Sequence, residues 1–249
     1  MQRQPDRFAA VVANAGSWTL AHWPAIRGTR LCIVHGVHDA RPKLRWHYTD
    51  IEFARQTDRL LNEYGLDHAY LEHQGEHAVL FARDKIAEFF VSGRELRRDP
   101  FYPHVTLASP TGFRPDYYCS SVEHNRWLTL DEATDGEIEY DELIDNGVEG
   151  DFDAWRLEHR RGRRPGASID ALNVGGNVIE VTTRNVARFT VWLHPRMVDV
   201  GKPVTVLVNG ESRCVASVQP SLATALESYR RRRDWGLIYP MKAAIAVNQ

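Results

Sequence analysis

Cysteine is scarce in this sequence, long apolar runs are missing and neither sign of charge is in excess; each absence removes a class of protein. The three cysteines, Cys32, Cys119 and Cys214, are odd in number, far apart and never in C-x-x-C spacing. That pattern excludes a disulfide framework and a zinc ribbon, and it leaves core filling as their expected role. No stretch approaches the ~20 consecutive apolar residues with which a helix spans a bilayer, and the opening MQRQPDRF lacks a signal peptide's apolar core. The chain is therefore expected in the cytoplasm if Met1 is the native start, and a secreted or periplasmic location stays open if a segment precedes it. The 31 Lys and Arg against 33 Asp and Glu leave a formal net charge of -2. With no global field to recruit them, neither nucleic acid nor a membrane is an expected partner. There is also no internal repeat and no low-complexity segment.

What is present is an ordinary globular composition, 43% hydrophobic over 249 residues, enough for one large domain or two smaller ones. The first ninety residues alternate between strand-like and helix-like periods. FAAVVANA and TRLCIVHG are short continuous apolar runs ending in small or turn residues, as strands buried on both faces of a parallel sheet do. Between RPK and Gly65, the residues Ile51, Ala54 and Leu61 share a helical face with Phe53, Leu60 and Tyr64 beside them, and glycine stops the helix. DHAYLEHQ reads as a third strand and VLFARDKIAEFF as a helix ending at Gly93. Strand, strand, helix, strand, helix predicts an α/β sheet.

Near RRDPFYP the texture changes to short β-branched or alternating runs, DYYCSSVEH, RWLTLDE, NVIEVTT, RFTVWLHP and PVTVLVNG, separated by Gly, Asn, Asp and Pro. This predicts an all-β sandwich, with a hairpin turn at Gly175, Gly176 and Asn177. SLATALESYRRRRDWG reads as a closing helix with Ser221 as N-cap. The expected division is 1–98 for the α/β part, 99–218 for the β part and 219–249 for the closing helix and tail.

Functional groups of open parallel sheets gather in the loops at the carboxyl ends of the strands. Asp39 follows LCIVHG and His77 follows DHAYLEHQ, so both are placed on one rim. A general-base histidine needs a carboxylate to fix its tautomer, and successive strands bring such loops together whatever their separation along the chain.

These segments carry a family resemblance. IVHGVHDARP, the helix after it and YLEHQGEHAVLF resemble the acid loop and histidine loop of α/β-hydrolases, and PDRFAAVV at 5–12 resembles the segment that follows the helix after their nucleophile elbow. HNRWLTLDE, NVIEVTTRNVARFTVWLHPRMVDVGKPVTVLVNG and LESYRRRRDWGLIYP resemble the carboxyl-terminal β-domain of bacterial esterase or peptidase-like hydrolases related to polyhydroxybutyrate depolymerases and prolyl oligopeptidases. The resemblance implies a serine hydrolase with Asp39 as triad acid and His77 as general base. It implies no cofactor, no metal, and a small-molecule or polymeric ester or peptide substrate. Such enzymes run serine, acid, histidine in chain order, yet no serine here is flanked by glycines two residues away on both sides; Ser17 has Ala15 and Thr19 there. The expectation is therefore the carboxyl-terminal part of an α/β-hydrolase sheet followed by a sandwich-like domain and a closing helix. Its nucleophile lies on a missing upstream half, leaving a chain inactive alone and prone to self-association at the cut edge. The alternative is a non-catalytic module binding carbohydrate, polymer or protein.

Other residues have plainer readings. His35, His38 and His47 near Asp39, and His73 four residues before His77, suggest metal ligands, but Gly75 argues against the helix that would align the last pair. His35 and His38 are expected to support the loop. The runs RRGRRPG and RRRRD lie beside acidic stretches without interleaved aromatics, so a solvated face or an interdomain ion-pair surface is expected rather than a nucleic-acid groove. Trp127, Trp155 and Trp192 are expected in the sandwich core ahead of a sugar platform.

Overall fold

The computed structural model describes residues 4–16, 18, 20–39, 51–91, 96–110, 122–145 and 157–247. It is a sheet-rich α/β fold with a parallel sheet and two further, largely antiparallel sheets. Two compact units form. The first gathers Phe8–Arg98 and Glu139–Gly162, and the second gathers Arg3–Arg7, Asp99–Ile138 and Arg163–Gln249.

The first unit contains strands β1 (Ala10–Asn14), β2 (Leu20–Ala21), β3 (Arg30–Gly36) and β4 (His68–His73), and helices α1 (Ile51–Glu63) and α2 (Arg83–Val91). Strands β1, β3 and β4 form a parallel sheet in that order, with Val12 opposite Cys32 and Cys32 opposite Ala69. β3 is central and buried from Leu31 to Gly36. Side chains of a strand alternate between faces, so β3 feeds two apolar layers. Leu31 and Ile33 pack with Ala54, Leu60 and Leu61 of α1, while Cys32 and Val34 pack with Ala82 and Phe89 at α2. Alternation thus explains why Leu31, Cys32, Ile33 and Val34 of TRLCIVHG are apolar without interruption. α1 stops where expected: Gly65 takes φ 63°, its N–H donates to the Asn62 carbonyl and the Leu66 N–H to the Leu61 carbonyl, the bonding of a Schellman cap.

The second unit contains β5 (His104–Pro110), β6 (His124–Asn125), β7 (Leu128–Ala133), β10 (Val178–Arg184), β11 (Val186–Leu193), β12 (Pro203–Val208), β13 (Glu211–Ser217), α3 (Leu222–Arg232) and β14 (Met241–Ala246). Strands β8 (Glu137–Asp145) and β9 (Leu157–Gly175) have residues in both units. One sheet runs β13, β12, β10, β9 with β5 on β9, and the other runs β14, β11, β7, β6. Between them lies one core in which Trp127, Trp192, Phe189, Ile169 and Ile179 are fully buried. Gly175, Gly176 and Asn177 turn the β9–β10 hairpin with φ of 86°, 59° and 63°, the left-handed region that Gly and Asn tolerate. Ser221 caps α3, its Oγ accepting from the Thr224 N–H at 3.1 Å.

One sequence expectation changes. The segment 219–249 is not a separate closing piece, because β14 pairs with β11 from Met241 to Ala246 and buries Met241, Ala243 and Ile245 in the sandwich core. The acidic stretch after Asp131, which in the sequence stands out only as a neighbour of the arginine runs, forms a partly buried strand. β8 turns Ile138, Tyr140 and Leu143 inward, and buries Asp141 and Glu142 as well. In the first unit Asp141 accepts from the Tyr64 hydroxyl at 3.0 Å and Glu142 pairs with Arg160 at 2.9 Å. That ion pair uses an arginine of RRGRRPG, as that run's composition suggested. Cys32 is fully buried and Cys214 partly so. Cys119 and all of DYYCSSVEH before Val122 lie outside the described residues, as do His47, Ser17 and Trp155.

Candidate active site

Because β1, β3 and β4 are parallel, their carboxyl ends open on one rim of the sheet. There the chain leaves β3 through Val37 to Asp39 and leaves β4 through Gln74 to His77. Backbone bonds stitch these loops together: the Val37 N–H donates to the His73 carbonyl at 2.9 Å and the His38 N–H to the Gly75 carbonyl at 3.1 Å. Asp39 closes its own turn, its N–H donating to the Gly36 carbonyl at 3.0 Å, and its carbonyl accepts from the N–H of Ile51, the first residue of α1. Asn14, the last residue of β1, donates its side-chain amide to the His77 carbonyl at 3.4 Å. All three strands therefore hold the histidine loop.

The side chains meet where the two loops meet. His77 Nδ1 lies 3.0 Å from Asp39 Oδ2. The Asp39 side chain is 5% exposed and that of His77 61%, so the carboxylate is withdrawn from water while the imidazole reaches into it. A carboxylate only accepts, so at neutral charge the His77 Nδ1 carries the proton and Nε2 presents a lone pair. The same Asp39 oxygen lies 3.3 Å from Nε2 of His35, whose side chain is fully buried. The His73 imidazole is pushed below the ordinary histidine range, by burial first and by His35 second, against the pull of Asp39. Glu72 is held below the usual carboxylate range by hydrogen bonds from Arg55 and Tyr70.

Gly36 makes this approach possible. A methyl group on it would collide with the carbonyl oxygens of Gly75 and Glu76. The sequence drew attention to the glycine only as the end of an apolar run, and to Asn14 not at all. Asn14 is an ordinary polar strand-end residue, and only the parallel register brings it to the histidine loop. His35 supports the acid loop as expected. His38 is exposed and His73 ends a strand rather than lying on a helix with His77. Among the described residues no group of three or more His, Cys, Asp or Glu is arranged to hold a metal ion.

No protein-family model, curated protein or solved structure matches the chain.

Elsewhere the candidates from sequence are structural. Trp127 and Trp192 are fully buried, in the core and not on a platform. Arg232, from the run RRRRD, is fully buried as well. Its guanidinium stacks 4.8 Å from the Trp192 ring and 5.3 Å from the Tyr239 ring, and donates to the Arg126 carbonyl at 3.0 Å and to Thr129 Oγ1 at 3.1 Å. Burial pushes it down to about 10. The second unit also has a cleft of about 930 Å³ bordered by His124, Asp131, Arg188, Thr190, Arg231 and Lys242. Its charges are paired: Asp131 accepts from Thr190 and Arg231, Arg188 pairs with Glu132, and Lys242 with Glu227.

Proposed function

We propose that Asp39 and His77 are the acid and general base of a serine hydrolase acting on an ester or peptide bond. The serine would come from polypeptide lying beyond this chain. The observation that carries the reading is the 3.0 Å contact between a buried Asp39 carboxylate and the Nδ1 of an exposed His77. That asymmetry suits the chemistry. Nε2 takes the proton of a serine hydroxyl as its oxygen attacks the acyl carbon, and Asp39 stabilises the imidazolium that results. His77 then delivers the proton to the leaving group, and a water activated in the same way releases the acyl group. The reaction needs no cofactor.

The sheet supports a nucleophile arriving beside β1. Among the described residues β1 is hydrogen-bonded on its β3 side alone, although its sequence AVVAN is that of an interior strand. A parallel strand added there would end on the rim that holds His77. The test is hydrolysis of a short chromogenic acyl ester by this chain alone and by the chain joined to whatever polypeptide is encoded upstream of it. The joined protein should turn over and the chain alone should not. His77→Ala should lower turnover by several orders of magnitude, and Asp39→Asn by about 10⁴-fold through the wrong tautomer. Turnover by the chain alone that survives His77→Ala refutes the mechanism. The competing reading, a binding module, draws on the cleft in the second unit, and it predicts a joined protein without hydrolytic activity.

A further inference from the structure

We infer that His35 is a positioning residue: a second hydrogen-bond donor that fixes the Asp39 carboxylate so that His77 keeps one orientation. The inference rests on reading Asp39 and His77 as the base machinery, and it adds a residue whose side chain faces neither solvent nor substrate.

The argument starts from strand alternation. Leu31 and Ile33 of β3 point into the apolar layer under α1, and His35 is the next residue of that row. A polar ring at such a position, with no surface exposed to water, is costly unless it is hydrogen-bonded. Its Nε2 lies 3.3 Å from Asp39 Oδ2, the oxygen that faces His77 Nδ1 at 3.0 Å. One carboxylate oxygen has lone pairs for both donors. The pair with His35 spans four residues of a single turn, whereas that with His77 spans two loops.

A carboxylate held by one partner is free to turn, because the terminal torsion of Asp is broad and roughly two-fold. Two donors on one oxygen, one from β3 and one from the histidine loop, remove that freedom. The neighbouring ionisable groups do not compete for the role. Glu72, opposite His35 in the β3–β4 ladder, is engaged by Arg55 at 3.0 Å and by the Tyr70 hydroxyl at 2.5 Å. The His73 ring is pushed below the ordinary histidine range, by burial first. His77 is left as the exposed ring on the Asp39 carboxylate.

The experiment uses this chain and needs no turnover. The readout is the low-field proton resonance of His77 Nδ1–H, assigned by its loss in Asp39→Asn, together with its exchange rate with water. His35→Gln keeps an N–H at the place of Nε2; His35→Leu keeps apolar volume without a donor. The resonance should persist in the Gln variant. In the Leu variant exchange should speed up by roughly ten- to a hundredfold, the factor for losing one hydrogen bond to a charged group. An unchanged resonance and exchange rate in folded His35→Leu overturns the inference and makes His35 a filler of the core. If His35→Leu does not fold, His35→Met, unbranched and more adaptable, carries the same comparison. If neither non-donor folds, loss of the resonance from folded His35→Gln overturns it, because there the donor is retained. The two readings fail separately: a joined protein without esterase or peptidase activity removes the hydrolase reading, while the exchange rates still report what His35 does to Asp39 and His77.

Discussion

Replacing Gly36 by alanine should loosen the candidate site from a position that touches neither of its two side chains. The added methyl meets the carbonyl oxygens of Gly75 and Glu76 and lies 2.8 Å from the Gly75 carbonyl carbon. These are backbone atoms, so no rotamer change relieves the overlap and the histidine loop must move away from β3. Overpacking of this kind costs about 1–3 kcal/mol. The movement also stretches the His38 to Gly75 bond, now 3.1 Å, a bond worth about 1 kcal/mol. Against this, alanine narrows the unfolded ensemble by about 0.4–1 kcal/mol relative to glycine. The net expectation is a loss of about 2 kcal/mol, read as a lower urea midpoint with unchanged slope. The same displacement pulls His77 off Asp39, so the His77 Nδ1–H resonance should broaden or vanish. A variant within about 0.5 kcal/mol of the parent, the scatter of neutral surface changes, with its His77 resonance intact would refute the close-approach argument.

Three further outcomes follow from the geometry. Arg232→Ala should cost about 3–5 kcal/mol in urea unfolding, because it empties the space between Trp192 and Tyr239 and strips donors from the Arg126 carbonyl and Thr129; Arg232→Lys should recover little, since an ammonium lacks the planar fork. His73, His124 and His194 are all held below the ordinary histidine value, burial being the largest cause in each. The unfolded chain therefore takes up these protons first, and stability should fall as pH drops below about 6.5 until the folded rings protonate. His124→Gln should flatten that slope in urea midpoints between pH 8 and 5, and a midpoint that rises on acidification contradicts the assignment. The edge of β1 that no described strand covers, with Phe8 beside it 42% exposed, should drive self-association, visible by light scattering and by hydrophobic-dye binding; a monodisperse monomer that binds no dye counts against an open edge.

The α/β part was legible because its signals are strong and redundant. β3 is apolar without a break from Leu31 to Val34 since both of its faces are covered, α1 has a clear stripe and a glycine stop, and Asp39 and His77 each follow a strand end. Parallel order alone then places the two on one rim. The missed elements are those whose residues speak against their structure. β14 is MKAAIA, with small residues of weak strand preference at half its positions, and its pairing with β11 decides the matter. β8 buries two adjacent carboxylates, Asp141 and Glu142, because Tyr64 and Arg160 receive them. At the site, Asn14 acts through a contact to a loop 63 residues away, which no local pattern encodes. His35 looked like a loop support, and its buried place in the apolar row of β3 is visible only once the faces of the strand are assigned.

The first unit is not a contiguous piece of polypeptide: its parallel sheet and both helices are complete by Arg98, while Glu139–Gly162 returns to it after Asp99–Ile138 of the second unit has been written. On the ribosome, β3, α1 and β4 emerge with Tyr64 still lacking Asp141 and Phe53 still lacking Leu143, the partners they have in the finished molecule. At ~5–20 residues per second, the interval before those partners appear is on the order of several seconds, long compared with hydrophobic collapse. The rim carrying Asp39 and His77 is thus assembled early but secured late. A nascent chain stalled near residue 98 should be far more open to proteases around α1 than one released after Gly162 has cleared the exit tunnel.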